Sequence, residues 1–209
     1  MAKKTDALSP MMTQYMEIKE QNKDSIIFFR LGDFYEMFFD DARLASEELD
    51  LTLTGRDCGL EERAPMCGVP YHSCEGYIAR LVEKGYKVAV CEQTEDPATA
   101  KGIVKREIVR IITPGTIIEG NMLDESKNNF LASVYFGDSA AVCFIDASTG
   151  QSHLTEISGE ETDQRIIDEI IRFSPSEIIL CEKTLERPVL SQFLNEKYEG
   201  TVTKRQNIS

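Results

Sequence analysis

Positive charge is what this sequence most lacks: 23 lysines and arginines face 36 aspartates and glutamates, a formal net charge of −13 over 209 residues. A protein that holds nucleic acid by charge alone is thereby excluded, because phosphate contacts need Lys and Arg. The deficit is shared. Split at residue 115, the first part carries 15 basic and 20 acidic residues and the second 8 and 16, so neither half is a basic domain. Any nucleic-acid role must then rest on a local patch, or on help from parts of a larger protein.

Other absences narrow the class further. No apolar run approaches the ~18 residues that a membrane span needs. Met1-Ala2-Lys3-Lys4-Thr5-Asp6 leads into no apolar segment of signal-peptide type. Together these predict a soluble, cytoplasmic protein without a membrane partner. None of the six cysteines (Cys58, Cys67, Cys74, Cys91, Cys143, Cys181) forms a C-x-x-C pair. Cys67, His72 and Cys74 match no zinc spacing, so free, reduced thiols and no bound metal are expected. There is no G-x-x-x-x-G-K-[ST] phosphate loop, no internal repeat and no low-complexity tract.

What is present reads as alternating helix and strand. Ser9-Pro10 is a helix start, with Ser as cap and Pro in the first turn, and the helix ends near Asn22. Ser25 to Leu31 is a strand, Asp33 to Leu49 a helix with Phe38, Ala42, Ala45 and Leu49 on one stripe, and Leu51 to Thr54 a short strand. Residues 55 to 59 read as a turn and Ala64 to Tyr71, with two prolines and a glycine, as a loop. A helix from about Ser73 to Lys84 and strands at Tyr86 to Glu92 and Lys105 to Thr113 complete a domain over residues 1–115. Residues 116–128 read as a linker. Beyond it, three strands with short turns (Phe130 to Phe136, Ala140 to Ala147, Gln151 to Ile157) lead to a helix (Glu161 to Phe173) and a strand (Glu177 to Cys181). A helix from about Pro188 to Tyr198 and a strand near Gly200 to Lys204 follow. That βββαβαβ order over 129–209 is the order of a ribonuclease-H-like domain, and without closing helices it is expected to be incomplete. The fold class is α/β (α+β), with a mixed sheet in the first domain.

Phe34-Tyr35-Glu36 is the most informative tripeptide. Locally, Asp33-x-x-Glu36 is a capping box that opens the helix running to Leu49. Phe34 falls off that helix's apolar stripe, in a first turn where a ring either packs or stays exposed. A bare ring can wedge between stacked bases, and a carboxylate two residues on can accept a hydrogen bond from a base edge.

LGDFYEMFFDDA resembles the signature of the mismatch-recognition domain of the MutS DNA mismatch-repair family. SPMMTQYMEIK before it resembles the same family. So do APMCGVPYHSCEGYIARLVEKGYKVAVCEQ, DPATAKGIVKREIVRIITPGT and FIDASTGQ, in order. The resemblance runs from about Ser9 to about Gly150 and more weakly to the end. It implies that Phe34 is the wedge that stacks on a mispaired base in the minor groove, and that Glu36 is the carboxylate that hydrogen-bonds that base. It further implies that Arg56 lies near the DNA backbone and that the loop holding Gly68, Pro70 and His72 approaches the duplex. The expected partner is double-stranded DNA with mismatches or small loops. MutL is expected to contact the second, connector domain. The resemblance also implies a homodimeric, ATP- and Mg-dependent parent whose nucleotide-binding domain lies outside these residues. The stretch is then an N-terminal fragment, monomeric, without a cofactor and not an enzyme by itself.

Two other classes compete. A metal-dependent nuclease of ribonuclease-H type needs carboxylates that converge on two metal ions. Asp146 in Phe-Ile-Asp-Ala-Ser-Thr-Gly is the one candidate, but it follows the second strand, while Asp138, Glu156 and Glu177 read as surface positions and residues 148–150 as a hairpin turn. The other rival is a docking module in which both halves serve only protein partners.

Overall fold

A computed structural model describes residues 8–95, 102–118, 123 and 127–205. The chain divides into two compact units, Met1–Ile112 and Thr113–Ser209. Most of the expected linker at 116–128 lies outside the described residues.

In the first unit, helix α1 (Pro10–Gln21) starts as its sequence dictates: Ser9 caps it by accepting from the Met12 N–H at 3.4 Å, with Pro10 in the first turn. Strand β1 (Ser25–Leu31) is buried on both faces over its first five residues, as a central strand must be. A two-residue turn, Gly32-Asp33, follows, with Gly32 at φ 57°, a left-handed conformation that glycine adopts without penalty.

The expected helix from Asp33 does not form there. Residues Phe34–Phe38 are instead strand β2, paired antiparallel with β1 and with β4 (Ala64–Pro70). Pairing on both edges outweighed the local capping signal, and helix α2 (Phe39–Leu49) begins only after it. Strand gives way to helix at Phe39, at a left-handed φ of 52°. Ala42, Ala45 and Leu49 remain its buried stripe, while Phe38 is buried from the strand.

The loop expected over Ala64 to Tyr71 is β4 itself, with β3 (Thr54–Arg56) on its far side, where a turn was expected at Gly55 and Arg56. Its prolines, Pro65 and Pro70, stand near the two ends, where strands tolerate the missing donor best. Helix α3 (Cys74–Glu83), β5 (Lys87–Gln93) and β6 (Arg106–Ile112) complete a six-stranded sheet of order β3-β4-β2-β1-β5-β6, mixed because only β1 and β5 run parallel.

One sheet face packs on α1 through Met12, Tyr15, Ile27, Phe29, Phe38, Ala89 and Cys91. A buried polar junction ties α1, β1 and α2 together. Asp41 accepts from Tyr15 Oη (2.9 Å), the Ile27 N–H (3.0 Å) and Lys19 Nζ (2.8 Å). Burial, and then the Asp41 charge, push the Tyr15 hydroxyl pKa far up, so this phenol is a fixed donor.

The second unit is a five-stranded sheet of order β9-β8-β7-β10-β11. Its strands are β7 (Phe130–Phe136), β8 (Ala140–Asp146), β9 (Ser152–Ile157), β10 (Glu177–Cys181) and β11 (Thr201–Arg205). The first three are antiparallel, and β7, β10 and β11 are parallel, the ribonuclease-H-like arrangement that the element order predicts. Helices α4 (Thr162–Phe173) and α5 (Pro188–Glu196) bury Ile166, Ile167, Ile170, Leu190 and Leu194 in one core with Ala132, Val142 and Phe144.

The 3-10 turn Pro114–Thr116 belongs to this second unit. Gly115 approaches so closely that a Cβ would lie 2.9 Å from both Glu177 Cβ and Leu131 Cδ1. Glu177 is therefore not the surface residue that the sequence suggests. It is 2% exposed and accepts from the Gly115 N–H (3.1 Å) and Thr203 Oγ1 (2.5 Å), which pins that turn onto β10.

Candidate nucleic-acid interface

Strand alternation is what assembles the site. Side chains at i and i+2 of a strand share a face, whereas two positions of a helix lie about 200° apart. On β2, Phe34 and Glu36 thus point to one side, while Tyr35 and Met37 are buried on the other. The register extends that side across the sheet: Glu36 is opposite Gly68 and Phe34 opposite Pro70 on β4, and Arg56 on β3 is opposite Ala64 of the same row. Phe34, Glu36, Arg56, Gly68 and Pro70, scattered over 37 positions of sequence, thereby occupy one face. It is the face that α1 covers at its Phe38 end and leaves open at Phe34.

Phe34 is 46% exposed next to a hairpin tip, although the four residues Ile26 to Phe29 nearby are buried. Glu36 leans over β4, where Gly68 makes room. A Cβ on Gly68 would sit 3.4 Å from Glu36 Cγ and 3.1 Å from the Tyr35 carbonyl oxygen. Arg56 Nη1 donates to Glu36 Oε2 at 2.5 Å, with side chains 36% and 14% exposed.

His72 lies in the 3-10 turn Tyr71–Ser73 that leaves β4. The turn is tied to the hairpin by the Tyr71 N–H donating to the Asp33 carbonyl at 2.9 Å. The His72 ring is exposed and meets the edge of Tyr71, with centroids 5.8 Å apart.

Two arginines near the hairpin were not anticipated, and Arg30, the register partner of Tyr35, stands on the sheet face away from Phe34 and Glu36. Arg30 lays its guanidinium 3.7 Å from the centre of the half-exposed Tyr71 ring and donates to the Gly32 carbonyl at 2.6 Å, stiffening the hairpin tip. Arg106 is buried and satisfied by neutral acceptors, the Arg30 carbonyl (2.7 Å), the Val104 carbonyl (2.9 Å) and Gln14 Oε1 (3.1 Å), with the Phe29 ring alongside. Burial lowers its pKa, and the charge of Arg56 lowers it further.

The other candidates are used internally. Cys67 faces α2, donates to the Ala42 carbonyl at 3.4 Å, and has its pKa pushed up to about 12 by burial and then by Asp41. Asp146, 1% exposed, ends β8 and spends its acceptors at the hairpin. Oδ1 takes the Ser148 N–H (2.9 Å), Ser148 Oγ (2.6 Å) and the Thr149 N–H (3.3 Å), and Oδ2 takes the Asn129 N–H (3.2 Å). Burial pushes this carboxyl up, but those donors outweigh it and leave its pKa below the usual carboxylate value. Among the described residues no three His, Cys, Asp or Glu side chains gather as metal ligands would.

Architecture and residues together define an α/β protein of two domains, the first presenting an open aromatic ring beside a carboxylate held by arginine. The model for MutS domain I matches residues 9–121, and that for MutS domain II matches 129–207. The DNA mismatch repair protein MutS of Alkaliphilus oremlandii is 61% identical over 173 residues, 82% of this chain and 20% of that protein. Those of Acetivibrio thermocellus and Clostridium tetani are 55% and 58% identical, over 92% and 90% of this chain and 22% and 21% of their own lengths. The chain belongs to the MutS family and spans about a fifth of the length of these relatives. No helix among the described residues is long and apolar enough to cross a membrane.

Proposed function

We propose that this chain recognises mispaired or looped-out bases in double-stranded DNA, as the sensing part of a longer mismatch-repair protein. Phe34 enters the minor groove and stacks on the faulty base, and Glu36 accepts a hydrogen bond from it. The supporting observation is the shared face: a ring 46% exposed at the end of β2, with a carboxylate two residues along.

Inserting a ring unstacks a base step at a cost of about a few kcal/mol, less where pairing is already faulty. Stacking on the aromatic returns about 1–3 kcal/mol whatever the base. Discrimination therefore comes from how easily the duplex yields. Paired steps resist, mispaired ones open, and the Glu36 carboxylate near the phosphates penalises binding that gains no base contact.

With a net charge of −13, the isolated chain neutralises few phosphates and binds weakly. The remainder of the longer protein supplies the clamp and the ATP- and Mg-dependent switch, and the second domain relays the signal, including contact with MutL. Titrating a G·T duplex against this chain and against a full-length MutS carrying it as residues 1–209 checks the division of labour. Much weaker binding by the short chain is expected, and equal affinities refute it. Phe34→Ala in the full-length form is expected to abolish mismatch preference with the fold intact. A variant that still discriminates counts against the wedge.

A further inference from the structure

Resting on that reading of the first domain, we infer that Arg56 is a positioning residue for Glu36 and does not act chiefly as a phosphate contact. Two observations carry it. Arg56 Nη1 holds Oε2 of Glu36 at 2.5 Å, while no described residue donates to Oε1. The two residues stand on strands separated by β4, on the same face of the sheet, so the arginine spans a whole strand to reach the carboxylate.

A free glutamate samples several rotamers, most of which aim its charge away from the groove. Ordering it on binding costs side-chain entropy. With Oε2 engaged, that ordering is complete before DNA arrives and Oε1 remains as the acceptor for a base N–H. The guanidinium offsets only part of the carboxylate charge, so Glu36 still disfavours a duplex that offers Oε1 no base contact. Base selectivity thus depends on Arg56 only through Glu36.

The test is a double-mutant cycle in a full-length MutS carrying this chain, reading the ratio of affinities for a G·T duplex and its fully paired counterpart. Arg56→Gln is expected to lower that ratio about tenfold in the presence of Glu36, and less than about twofold in a Glu36→Gln background, since coupled neighbours are non-additive. Arg56→Lys, which keeps the charge and a donor, is expected to recover most of the loss. The slope of log affinity against log salt is expected to stay unchanged for both duplexes. Equal losses in the two backgrounds, with the salt slope falling by about one, make Arg56 an independent phosphate contact and overturn the inference. If Phe34→Ala and Glu36→Gln each leave the preference intact, the mismatch reading itself fails, and the positioning role with it. Thermal melts of each variant identify one that has merely unfolded.

Discussion

Glu36 in the first domain and Asp146 in the second each sit on a strand flanked by apolar residues, yet they are spent differently. Both oxygens of Asp146 are consumed by nearby N–H and O–H donors at a tight hairpin, whereas Glu36 gives one oxygen to Arg56. Asp41 and Glu177 fall with Asp146: buried, saturated, and joining elements of the fold. An acidic residue in a suggestive motif is therefore no guide to chemistry until its acceptors are counted. The one left with a free lone pair lies next to the exposed ring.

The contrast can be broken at its most strongly held point. Asp41→Ala is expected to destabilise the first domain by about 3–5 kcal/mol, because Lys19 and the Ile27 N–H lose their acceptor inside the protein. Denaturant unfolding followed by far-ultraviolet circular dichroism measures it; a loss under about 1 kcal/mol would place Asp41 with the dispensable surface charges.

Next comes Phe34→Ala, expected to cost about 2–3 kcal/mol of mismatch preference in the full-length form, some 30- to 150-fold, while stability moves by no more than about 0.5 kcal/mol. Competition binding paired with a thermal melt separates the two. Asp146→Ala should show the opposite profile. Stability of the second domain drops by about 1–3 kcal/mol through its orphaned donors, with no change in mismatch preference, and a divalent-dependent cleavage of duplex that vanishes in this variant would instead favour the nuclease.

Acid sharpens the same comparison. Asp146 has a folded pKa below its ordinary 3.8, so its contribution is fully present above the unfolded value and is lost as pH falls through the folded one. Wild type and Asp146→Asn are thus expected to differ by a constant amount from pH 7 to about pH 5 and to converge below about pH 4. A gap that closes already between pH 7 and 5 would assign the effect to another group. The smallest effect is expected of Gly68→Ala, about 1 kcal/mol. Its methyl group would press on the Tyr35 carbonyl at 3.1 Å and displace Glu36 from Arg56, so mismatch preference should fall more than stability does.

Much of the architecture is legible in the residues alone. Ser9-Pro10 announces α1, the alternation in 130–157 announces three strands, and βββαβαβ leads to the sheet order found. The failures cluster at the site. Asp33-x-x-Glu36 reads as a helix cap, and the prolines and glycine of 64–70 read as a loop. Both segments are strands because each is paired on its two edges, β2 by β1 and β4, and β4 by β2 and β3. No window of sequence contains that information.

From its order of residues this chain already had two α/β domains, a shortage of positive charge and an unusual pairing of Phe34 with Glu36. Their common face, the ion pair of Arg56 with Glu36, and the saturation of Asp146 and Glu177 were settled by tertiary structure. Local propensity acts over a few neighbouring residues, whereas strand register and buried hydrogen bonds join positions tens of residues apart, and only folding brings those donors and acceptors within reach.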